Sequence, residues 1–392
     1  MRITITTPAK FPAALAAARY SEQRGELARI ISPVPVSRSR PFGVSDECSI
    51  GLKGLGSWNY AFQRWGPHSL QKQHQLAFSV AFDEAASRLI GECDVVNAWC
   101  STALRTIRAA HRRGIPAVLE VASAHIESQA ELLRAEFAAF GSEIERTVIT
   151  PGVIERTLRE YEEADAIIVT SRFVQSTFVE RGVPASKITV VPYGLDASTP
   201  PAPRGGGRIP RVIFVGGCSL RKGIPYLIEA FRRIEAPAEL RLVGQTNEAL
   251  FRRLGGLPCN VDAVGPKTGA DLAAEYAAAD VFVLPSVEDG WGLVTNEAMS
   301  AGLPVVVSDH AGSAEIVRDG VNGFVVAARD IDALASRLET LLSDGDLRRR
   351  MGAAARATVE SRTWQTYGDE RRDLVYAPLL GSKKAGIVAS AA

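Results

Sequence analysis

The sequence predicts an α/β protein built from two doubly wound, Rossmann-like domains that face a central cleft. Three observations lead to this prediction. Short apolar runs alternate with helical patterns along the whole chain, which is typical of parallel sheets packed against helices. The pattern occurs twice, and a stretch rich in proline and glycine, PYGLDASTPPAPRGGGRIP at 192–210, separates the two halves. The 392 residues, 46% hydrophobic and 23% charged, suffice for two domains with separate cores.

Each predicted element rests on a run with the periodicity of a strand or a helix. In the first half, strands are predicted in RITIT, LARIIS, VVNAW, PAVLEV and AIIVTS, and a long helical run from about Ser123 to Tyr161. In the second half, strands are predicted in RVIFVG, LRLVG, VDAVG, VFVLP, PVVVSD and GFVV, and helices in KGIPYLIEAFRRI, NEALFRRL, DLAAEYAAA and LVTNEAMSA. The segment from about Ile331 to Leu380 is predicted to be wholly helical.

The predicted elements divide the chain into five parts. These are an N-terminal domain at 1–196, a linker at 197–210, a C-terminal domain at 211–364, a terminal helix at 365–380 that crosses back to the N-terminal domain, and a disordered tail at 381–392. Because open α/β sheets bind ligands beyond the carboxyl ends of their strands, functional residues are expected in the loops that follow strands.

Composition and charge exclude several classes of protein. The start, MRITITTPAKF, has no apolar signal-peptide core, and no stretch has the roughly 18 apolar residues that span a bilayer, so a cytoplasmic location is expected. Five cysteines without a C-x-x-C spacing favour neither a disulfide framework nor a zinc site. The net charge of +1 argues against a nucleic-acid partner. Residues 1–113 carry 15 Lys and Arg against 8 Asp and Glu, which fits a membrane surface, a phosphorylated acceptor or a solvated basic face.

The first informative loop, GGCSLRKG at 216–223, follows the strand RVIFVG. Its glycines allow a ligand to approach the backbone, and Lys222 places a cation near the start of the next helix. This arrangement indicates a phosphate site, although a solvated lysine on a turn would give the same pattern. The glycine spacing fits neither G-x-G-x-x-G nor a P-loop.

The second informative loop, SVEDGWG, follows the strand VFVLP and leads into the helix LVTNEAMSA. The first turn of that helix, with Thr295 and Asn296, offers unpaired amides to a diphosphate. Glu297 lies one turn into the helix, where an ionised carboxylate can accept both hydroxyls of a ribose, and Asp289 on the loop can accept hydrogen bonds from a sugar. The alternative is that Glu297 is a first-turn acid and Asp289 a turn residue.

Two stretches of the first half are further candidates. His125 follows the strand in PAVLEVASAH and is expected to face the cleft, although a lone histidine is more often a packing residue. The segment SWNYAFQRWGPH at 57–68 is basic and aromatic and suits an acceptor site or membrane headgroups, with ordinary loop packing as the alternative.

Together these residues resemble the family 4 glycosyltransferases, retaining enzymes with two Rossmann-like domains in the GT-B arrangement. The resemblance is carried by VGGCSLRKGIPYLIEAF, by PSVEDGWGLVTNEAMSAGLPVVVSD and, before them, by YEEADAIIVTSRFVQSTFVERGVPASKITVVPYGLD. It covers roughly residues 120–365, with the motifs in the order and spacing of the family.

The resemblance implies a role for each matching residue. The two acidic residues of the family, separated by seven others, correspond to Asp289 near the donor sugar and Glu297 on the nucleotide ribose. The diphosphate-binding lysine corresponds to Lys222, and the histidine near the donor sugar to His125. The implied catalytic residues are therefore His125, Lys222 and Asp289.

The resemblance also implies a wider donor site and an acceptor site. The implied donor-binding residues are Gly216, Gly217, Arg221, Lys222, Glu288, Asp289, Gly290, Trp291, Gly292, Leu293, Val294, Thr295 and Glu297. Val264, Gly265 and Pro266 are expected near the nucleobase, and Lys10 and Phe11 near an acceptor held by the N-terminal domain.

The chain departs from the family pattern at three places. The family often has an arginine where this chain has Gly217, so one diphosphate contact is lost or is supplied by Arg221. The first acid is Asp289 rather than a glutamate, with Glu288 beside it, so either acid can contact the sugar. The glycine-rich loop that many members carry after the first strand is replaced by TTPAKFPAAL.

The sequence therefore predicts a retaining glycosyltransferase that moves a sugar from UDP or GDP to an acceptor hydroxyl. The acceptor is expected in a polysaccharide, a glycolipid or a small molecule, and the protein in the cytoplasm or peripheral to the inner face of the membrane. No metal or other cofactor is expected, because Lys222 and a helix N-terminus can offset the charge on the leaving diphosphate. The alternatives are a sugar-nucleotide epimerase of the same architecture, a non-catalytic nucleotide-sugar-binding protein, and a dinucleotide-dependent oxidoreductase, which would need a G-x-G-x-x-G motif after a first strand.

Overall fold

The fold of the chain is given by a computed structural model that describes residues 1–35, 43–141, 149–196 and 209–381. Within these ranges the strands form two separate parallel sheets, one in each half of the chain. Most of the predicted linker, at 197–208, lies outside the described residues, as does the predicted tail from residue 382 onward.

The N-terminal sheet contains seven parallel strands. They are β1 (Ile3–Thr6), β2 (Leu27–Ser32), β3 (Ser49–Gly51), β4 (Val95–Trp99), β5 (Ala117–Val121), β6 (Ala166–Val169) and β7 (Ile188–Val190). The helices of this half are α1 (Pro12–Gln23), α2 (Lys53–Trp65), α3 (Gln71–Leu89), α4 (Leu104–His111), α5 (Ile126–Phe140), α6 (Pro151–Glu163) and α7 (Arg172–Glu180). The strand order is β3-β2-β1-β4-β5-β6-β7, so the order reverses between β1 and β4, where doubly wound sheets bind ligands.

The C-terminal sheet contains six parallel strands. They are β8 (Arg211–Val215), β9 (Glu239–Val243), β10 (Val261–Gly265), β11 (Val281–Leu284), β12 (Val305–Ser308) and β13 (Gly323–Val326). The helices are α8 (Ile224–Arg233), α9 (Glu248–Arg253), α10 (Gly269–Ala278), α11 (Leu293–Ser300), α12 (Ile331–Ser343), α13 (Gly345–Val359) and α14 (Trp364–Arg371), which continues into a π-helical turn at Arg372–Tyr376. The order β10-β9-β8-β11-β12-β13 reverses between β8 and β11.

The central strands of both sheets are completely buried. Every residue of β4, β5 and β11 is buried, as expected for parallel strands that are covered on both faces. The predicted fold class is therefore confirmed, and each predicted strand is present.

Two details of the predicted secondary structure are wrong. The run from Ser123 to Tyr161 is not one helix, because α5 ends before Gly141, which has a φ of 100°, and α6 begins at Pro151. Proline suits the first turn of a helix, where its missing N–H costs nothing. The strands β3 and β7 were not predicted, since three residues are too few to show a periodicity.

The chain passes between the two domains twice, and the two crossings are hydrogen-bonded to each other. Leu195 N donates to Arg362 O at 2.9 Å, and Arg362 Nη2 donates to Pro192 O. Beyond this point α14 packs against α1 of the N-terminal domain. There, the buried Glu120 on β5 accepts hydrogen bonds from Tyr367 Oη and, at 3.0 Å, from Arg371 Nη2. The terminal helix is thus held on the N-terminal sheet by a buried ion pair.

Candidate functional site

The loop between β8 and α8 carries Lys222 and contacts the loop after β11. Gly223 is the N-cap of α8 and has a φ of 70°, a conformation that favours glycine. A Cβ atom at Gly223 would lie 1.9 Å from the carbonyl oxygen of Pro285, so the two loops are closer than another residue would allow. Lys222 N donates a 3.2 Å hydrogen bond to Ser219 Oγ, which fixes the turn. Lys222 is thereby held beside the residues that follow Pro285.

Lys222 and Asp289 form an ion pair between these two loops. Lys222 Nζ donates to Asp289 Oδ2, and the side chains are only 15% and 11% exposed. Burial alone would raise the pKa of Asp289, but the charges of Lys222 and then Arg221 outweigh it and hold the pKa below its usual value. Asp289 is therefore ionised at neutral pH, in direct contact with a cation.

Glu288, next to Asp289, is bonded to the other domain instead. Its side chain is completely buried. Glu288 Oε1 accepts a hydrogen bond of 2.9 Å from Ala124 N, and Oε2 accepts one of 2.8 Å from Gln129 Nε2. Arg221 Nη1 also donates to Oε2 and to the main-chain oxygen of Glu288, both at 3.2 Å. The two neighbouring acids thus have separate partners, and Glu288 links the two domains.

Gly290 lies in contact with the N-terminal domain. Thr170 Oγ1 donates a 2.7 Å hydrogen bond to Gly290 O. A Cβ atom at Gly290 would lie 2.0 Å from the carbonyl oxygen of Ala122, just after β5. The N-terminal domain therefore packs directly on the loop that carries Asp289, and only glycine permits this approach.

Helix α11 begins at the same loop and is not capped by a side chain. Its N-cap is Gly292, so the amides of Leu293 and Val294 in the first turn have no capping partner from that position. Ser313 Oγ donates a 2.9 Å hydrogen bond to Thr295 Oγ1, which holds the first turn in place. Free amides and the positive end of a helix dipole are suited to a phosphate.

Trp291 is a packing residue in this structure. Its indole belongs to the core cluster that also contains Trp99, Tyr193 and Trp364, so it joins residues of both domains. Trp291 Nε1 donates a 3.0 Å hydrogen bond to Asn296 Oδ1. The indole is thus used for packing and for positioning α11, and its role in donor binding stays a prediction.

Glu297 lies on α11 and is held by a tyrosine from α10. Tyr276 Oη donates a 2.8 Å hydrogen bond to Glu297 Oε2 and a 3.3 Å one to Val294 O. Burial raises the pKa of Glu297, and the hydrogen bond from Tyr276 opposes this rise. Tyr276 is itself buried, so it restricts the orientation of the carboxylate.

The residues predicted near the nucleobase lie at the same edge of the C-terminal sheet. Gly265 ends β10, and its carbonyl oxygen accepts a 3.0 Å hydrogen bond from Gly244 N. A Cβ atom at Gly244 would in turn lie 1.9 Å from Gly216 O. The end of β9 is therefore in contact with the end of β8 on one side and with the end of β10, at Val264–Pro266, on the other. Gly217, where the family often has arginine, faces open space, because a Cβ atom there meets no atom within 4 Å.

His125 follows Ala124, which donates to Glu288, but the His125 ring packs within the N-terminal domain. His125 is the N-cap of α5, where Nδ1 accepts a 3.4 Å hydrogen bond from Glu127 N, and its ring packs against Tyr161 and Phe178 with centroids 5.0 Å away. Burial, together with the charge of Arg181, lowers the pKa of His125 to about 4. The ring borders a cavity of about 400 Å³ lined by residues of the N-terminal domain. The expectation that the ring faces the cleft is therefore corrected, and its catalytic role stays a prediction.

The predicted acceptor residues lie at the carboxyl end of β1. Phe11 is the N-cap of α1, is 40% exposed and stacks with Trp99 at the end of β4, with ring centroids 6.5 Å apart. Lys10 is exposed just before it. This pair of strand ends is the reversal point of the N-terminal sheet, which suits a ligand site, and the acceptor role stays a prediction.

Neither a membrane-spanning helix nor a cluster of metal-binding side chains is present in the four described ranges. No helix there is long and apolar enough to cross a membrane. No group of three or more His, Cys, Asp or Glu side chains is arranged to hold a metal ion. The expected independence from metals rests on the chemistry of Lys222 and the helix termini and stays a prediction.

Sequence reasoning missed three residues that shape the site. Tyr276 orients Glu297, and the only signal for it was a single aromatic residue in the alanine-rich helix DLAAEYAAA. Gln129 and Thr170 bond the donor loop from the N-terminal domain, and no pattern in the sequence shows that these two polar residues meet it.

Two models of protein families match consecutive parts of the chain. The model described as Glycosyltransferase Family 4 matches residues 57–199, which belong to the N-terminal domain. The model described as Glycosyl transferases group 1 matches residues 209–344, which belong to the C-terminal domain. Each domain is thus matched by a glycosyltransferase model of its own.

Several curated proteins are similar to parts of the chain. A sulfoquinovosyl transferase, SQD2 of Arabidopsis thaliana, is 33% identical over 43% of this chain and 33% of its own length. A D-inositol 3-phosphate glycosyltransferase of Xylanimonas cellulosilytica is 34% identical over 51% of this chain and 54% of its own length. A GDP-mannose-dependent alpha-(1-6)-phosphatidylinositol monomannoside mannosyltransferase of Mycobacterium tuberculosis is 27% identical over 75% of this chain and 79% of its own length. The chain thus spans about half or less of the first two relatives.

Solved structures share the fold over nearly the whole chain. Sucrose-phosphate synthase from Thermosynechococcus elongatus has a TM-score of 0.71 at 21% identity, covering 97% of this chain and 100% of that one. Alr3699/HepE of Anabaena, in complex with UDP and glucose, has a TM-score of 0.67 at 19% identity, covering 96% and 100%. These similarities establish the two-domain fold.

Proposed function

The chain belongs to the family 4 glycosyltransferases, and on that premise we propose that it transfers a sugar from a nucleoside diphosphate to an acceptor hydroxyl with retention of configuration. The observation that carries the proposal is the ion pair of Lys222 and Asp289 beside the uncapped N-terminus of α11. It combines a cation for a diphosphate with a carboxylate for a sugar.

Lys222 stabilises the leaving diphosphate. The bond between the anomeric carbon and the diphosphate oxygen breaks, and the charge that develops on that oxygen is offset by Lys222 and by the amides of Leu293 and Val294. The acceptor oxygen forms its bond to the anomeric carbon on the same face, and its proton passes to the leaving oxygen. These groups supply the charge stabilisation without a metal ion, so we expect the reaction to be independent of metals.

Asp289 contacts the donor sugar once the diphosphate is bound. Lys222 Nζ donates a hydrogen bond to Asp289 Oδ2. A diphosphate offers this ammonium a stronger anionic partner, and the carboxylate can then accept hydrogen bonds from sugar hydroxyls. Because its pKa is held low, Asp289 remains an acceptor throughout the physiological pH range.

Glu297 binds the ribose of the donor. Tyr276 occupies one carboxylate oxygen, and the remaining acceptor positions fit two adjacent hydroxyls. The base next to it is that of UDP or GDP: the mycobacterial relative is GDP-mannose-dependent, and the Anabaena structure contains UDP.

The acceptor is held by the N-terminal domain and belongs to a glycolipid, a polysaccharide or another cell-envelope molecule. Two relatives act on inositol-containing acceptors by name, which supports this class. Helix α2 carries exposed aromatic side chains, Tyr60 at 65% and Trp65 at 72%, and such residues favour the interface of a membrane. A location at the inner face of the membrane, peripheral to it, is part of this proposal.

The test is a transfer assay with two sugar nucleotides, UDP-glucose and GDP-mannose, and two acceptors, inositol 3-phosphate and phosphatidylinositol monomannoside. Proton NMR of the product reports the anomeric configuration and whether the donor has been altered. Transfer with an α-linked product supports the proposal, and a β-linked product rejects retention. An epimerised donor without acceptor would favour the rival epimerase. Reaction with NAD(P) alone would favour an oxidoreductase.

A further inference from the structure

A groove rich in arginine lies on the outer helices of the N-terminal domain. It has a volume of about 560 Å³ and lies among α3, α4 and α6. The only acid among the described residues that line it is Glu84. Its arginines are Arg88, Arg105, Arg108, Arg112, Arg113 and Arg156.

The spacing of the residues on α4 creates one wall of the groove. Arg105, Arg108 and Arg112 are three and four positions apart, which places them on one face of the helix. Ala109 lies in the lining and leaves room between their side chains. Arg88, at the end of α3, supplies a guanidinium from the opposite wall.

Most of these arginines pair with carboxylates, but the carboxylates are fewer than the arginines and several of the ion pairs are exposed to solvent. Glu84 accepts hydrogen bonds from both Arg88, at 2.6 Å, and Arg105. Glu163 pairs with Arg108 at 2.5 Å. The arginine side chains of these pairs are 44–75% exposed, and ion pairs this exposed to solvent contribute little to stability. An anionic ligand can therefore replace the carboxylates at little cost.

Two further arginines add positive charge to the groove and are not paired with Glu84, the acid in its lining. Arg112 is exposed at the end of α4. Arg113 donates a 3.2 Å hydrogen bond to a main-chain oxygen, that of Gly91. The Arg156 guanidinium pairs with the buried Asp83 and, at 3.6 Å, with Glu160. Even if Asp83, Glu84, Glu160 and Glu163 each cancel one charge, the six arginines leave two positive charges in the groove.

We propose that this arginine groove binds the phosphate groups of a ligand, either a phospholipid headgroup or a soluble phosphorylated molecule. Guanidinium groups bond phosphate oxygens in pairs, and several of them in one concave site favour a phosphate over a single carboxylate. The groove is formed by helices of the N-terminal domain alone, whereas the donor residues Lys222 and Glu297 lie in the C-terminal domain. The proposal is therefore independent of the proposed activity.

The test compares two double variants that lose the same charge. Arg88→Gln with Arg112→Gln removes two exposed groove arginines, and Arg252→Gln with Arg253→Gln removes two exposed arginines from α9 in the C-terminal domain. Binding is measured by co-sedimentation with vesicles of phosphatidylcholine, with and without phosphatidylglycerol, and by calorimetry with glycerol phosphate. Since exposed aromatic residues bind both kinds of vesicle, the informative quantity is the preference for phosphatidylglycerol.

The affinity of the groove variant for phosphatidylglycerol or for glycerol phosphate should be at least about tenfold lower than that of the wild type, because each removed arginine takes away about one phosphate contact. The α9 variant should lose less than about twofold. A loss confined to vesicles identifies the lipid headgroup as the ligand, and a loss with glycerol phosphate identifies a soluble one. The proposal is overturned if the wild type binds neither probe, or if both double variants lose binding equally. Melting temperatures of the variants show whether each is folded.

Discussion

Tyr276 donates a 2.8 Å hydrogen bond to Glu297, so the acid assigned to the ribose is oriented by a residue from another helix. Tyr276 is buried and Glu297 is partly buried. Burial raises the pKa of Glu297, and the hydrogen bond from the phenol opposes the rise. The charge state of Glu297 thus depends on a partner from α10.

This relationship predicts how nucleotide binding depends on pH. Only the ionised carboxylate accepts both ribose hydroxyls, so affinity should fall as the pH drops through the pKa of Glu297, and at a higher pH than for an ordinary glutamate. Tyr276→Phe removes the group that lowers this pKa, so the fall should move to higher pH and the affinity at pH 7 should decrease about fivefold. Calorimetry with the nucleoside diphosphate across pH tests this. Glu297→Gln cannot titrate and is the control, and an unshifted profile for Tyr276→Phe would reject the role of the tyrosine.

The ion pair of Lys222 and Asp289 should affect stability and activity in different ways. Lys222→Gln leaves a buried carboxylate without its main partner, and we expect the free energy of unfolding to decrease by about 3 kcal/mol. Adding Asp289→Asn should restore most of this stability, because the unpaired charge is gone. Transfer activity should remain at least about 100-fold lower in both variants, since the cation for the diphosphate is missing. Recovery of activity together with stability in the double variant would show that the pair has only a structural role.

Two glycines of the same loop should respond differently to substitution. Gly223→Ala places a Cβ atom against Pro285 O at a positive φ, and should destabilise the protein by more than about 1 kcal/mol. Gly217→Arg meets open space and should change stability by less than about 0.5 kcal/mol. The added guanidinium should tighten the binding of a nucleoside diphosphate about tenfold. Chemical unfolding and calorimetry measure the two effects, and a weaker affinity for Gly217→Arg would place that position away from the diphosphate.

His125 should contribute a pH dependence of stability. Because its pKa in the folded protein is about 4, below the ordinary value near 6.5, the folded state favours the neutral ring. The free energy of unfolding is thus fully retained above pH 6.5 and falls as the pH drops towards 4, by about 2 kcal/mol relative to His125→Asn. Asparagine keeps an N-cap for α5. Urea unfolding of both proteins at several pH values tests this, and equal pH profiles would contradict the buried position of the ring.

The same variant tests whether His125 is catalytic. If the ring stays packed against Tyr161 and Phe178 during the reaction, His125→Asn should keep transfer activity within about tenfold of the wild type. A loss above about 100-fold, with the melting temperature unchanged at pH 7, would show that the ring reaches the donor after all.

The fold was predictable from the sequence because buried parallel strands have an unmistakable pattern. The apolar runs VFVL and VVV, for example, lie within β11 and β12. The strands β3 and β7 escaped prediction because three residues give no period. The helices α5 and α6 are separate because Gly141 ends the first and Pro151 begins the second, two signals that the prediction of a single run passed over.

The candidate site was predictable only where a loop follows a strand of the same domain. Lys222 and Asp289 are identified by such loops, and the structure brings them into contact. Two partners of Glu288, Ala124 and Gln129, come from the N-terminal domain, more than 150 positions earlier, and spacing along the chain contains no information about them. The direction of the His125 ring depends on packing against Tyr161, which the sequence alone does not reveal.

The proposed donor site is tested most directly by calorimetric titration of the wild type and of Glu297→Gln with UDP, GDP, ADP, dTDP and NAD(P). We expect that one nucleoside diphosphate binds the wild type, that the variant binds it about 10- to 100-fold more weakly, and that NAD(P) does not bind. If none of the four diphosphates binds the wild type, or if the variant binds as tightly, the C-terminal cleft is not a donor site of the kind proposed.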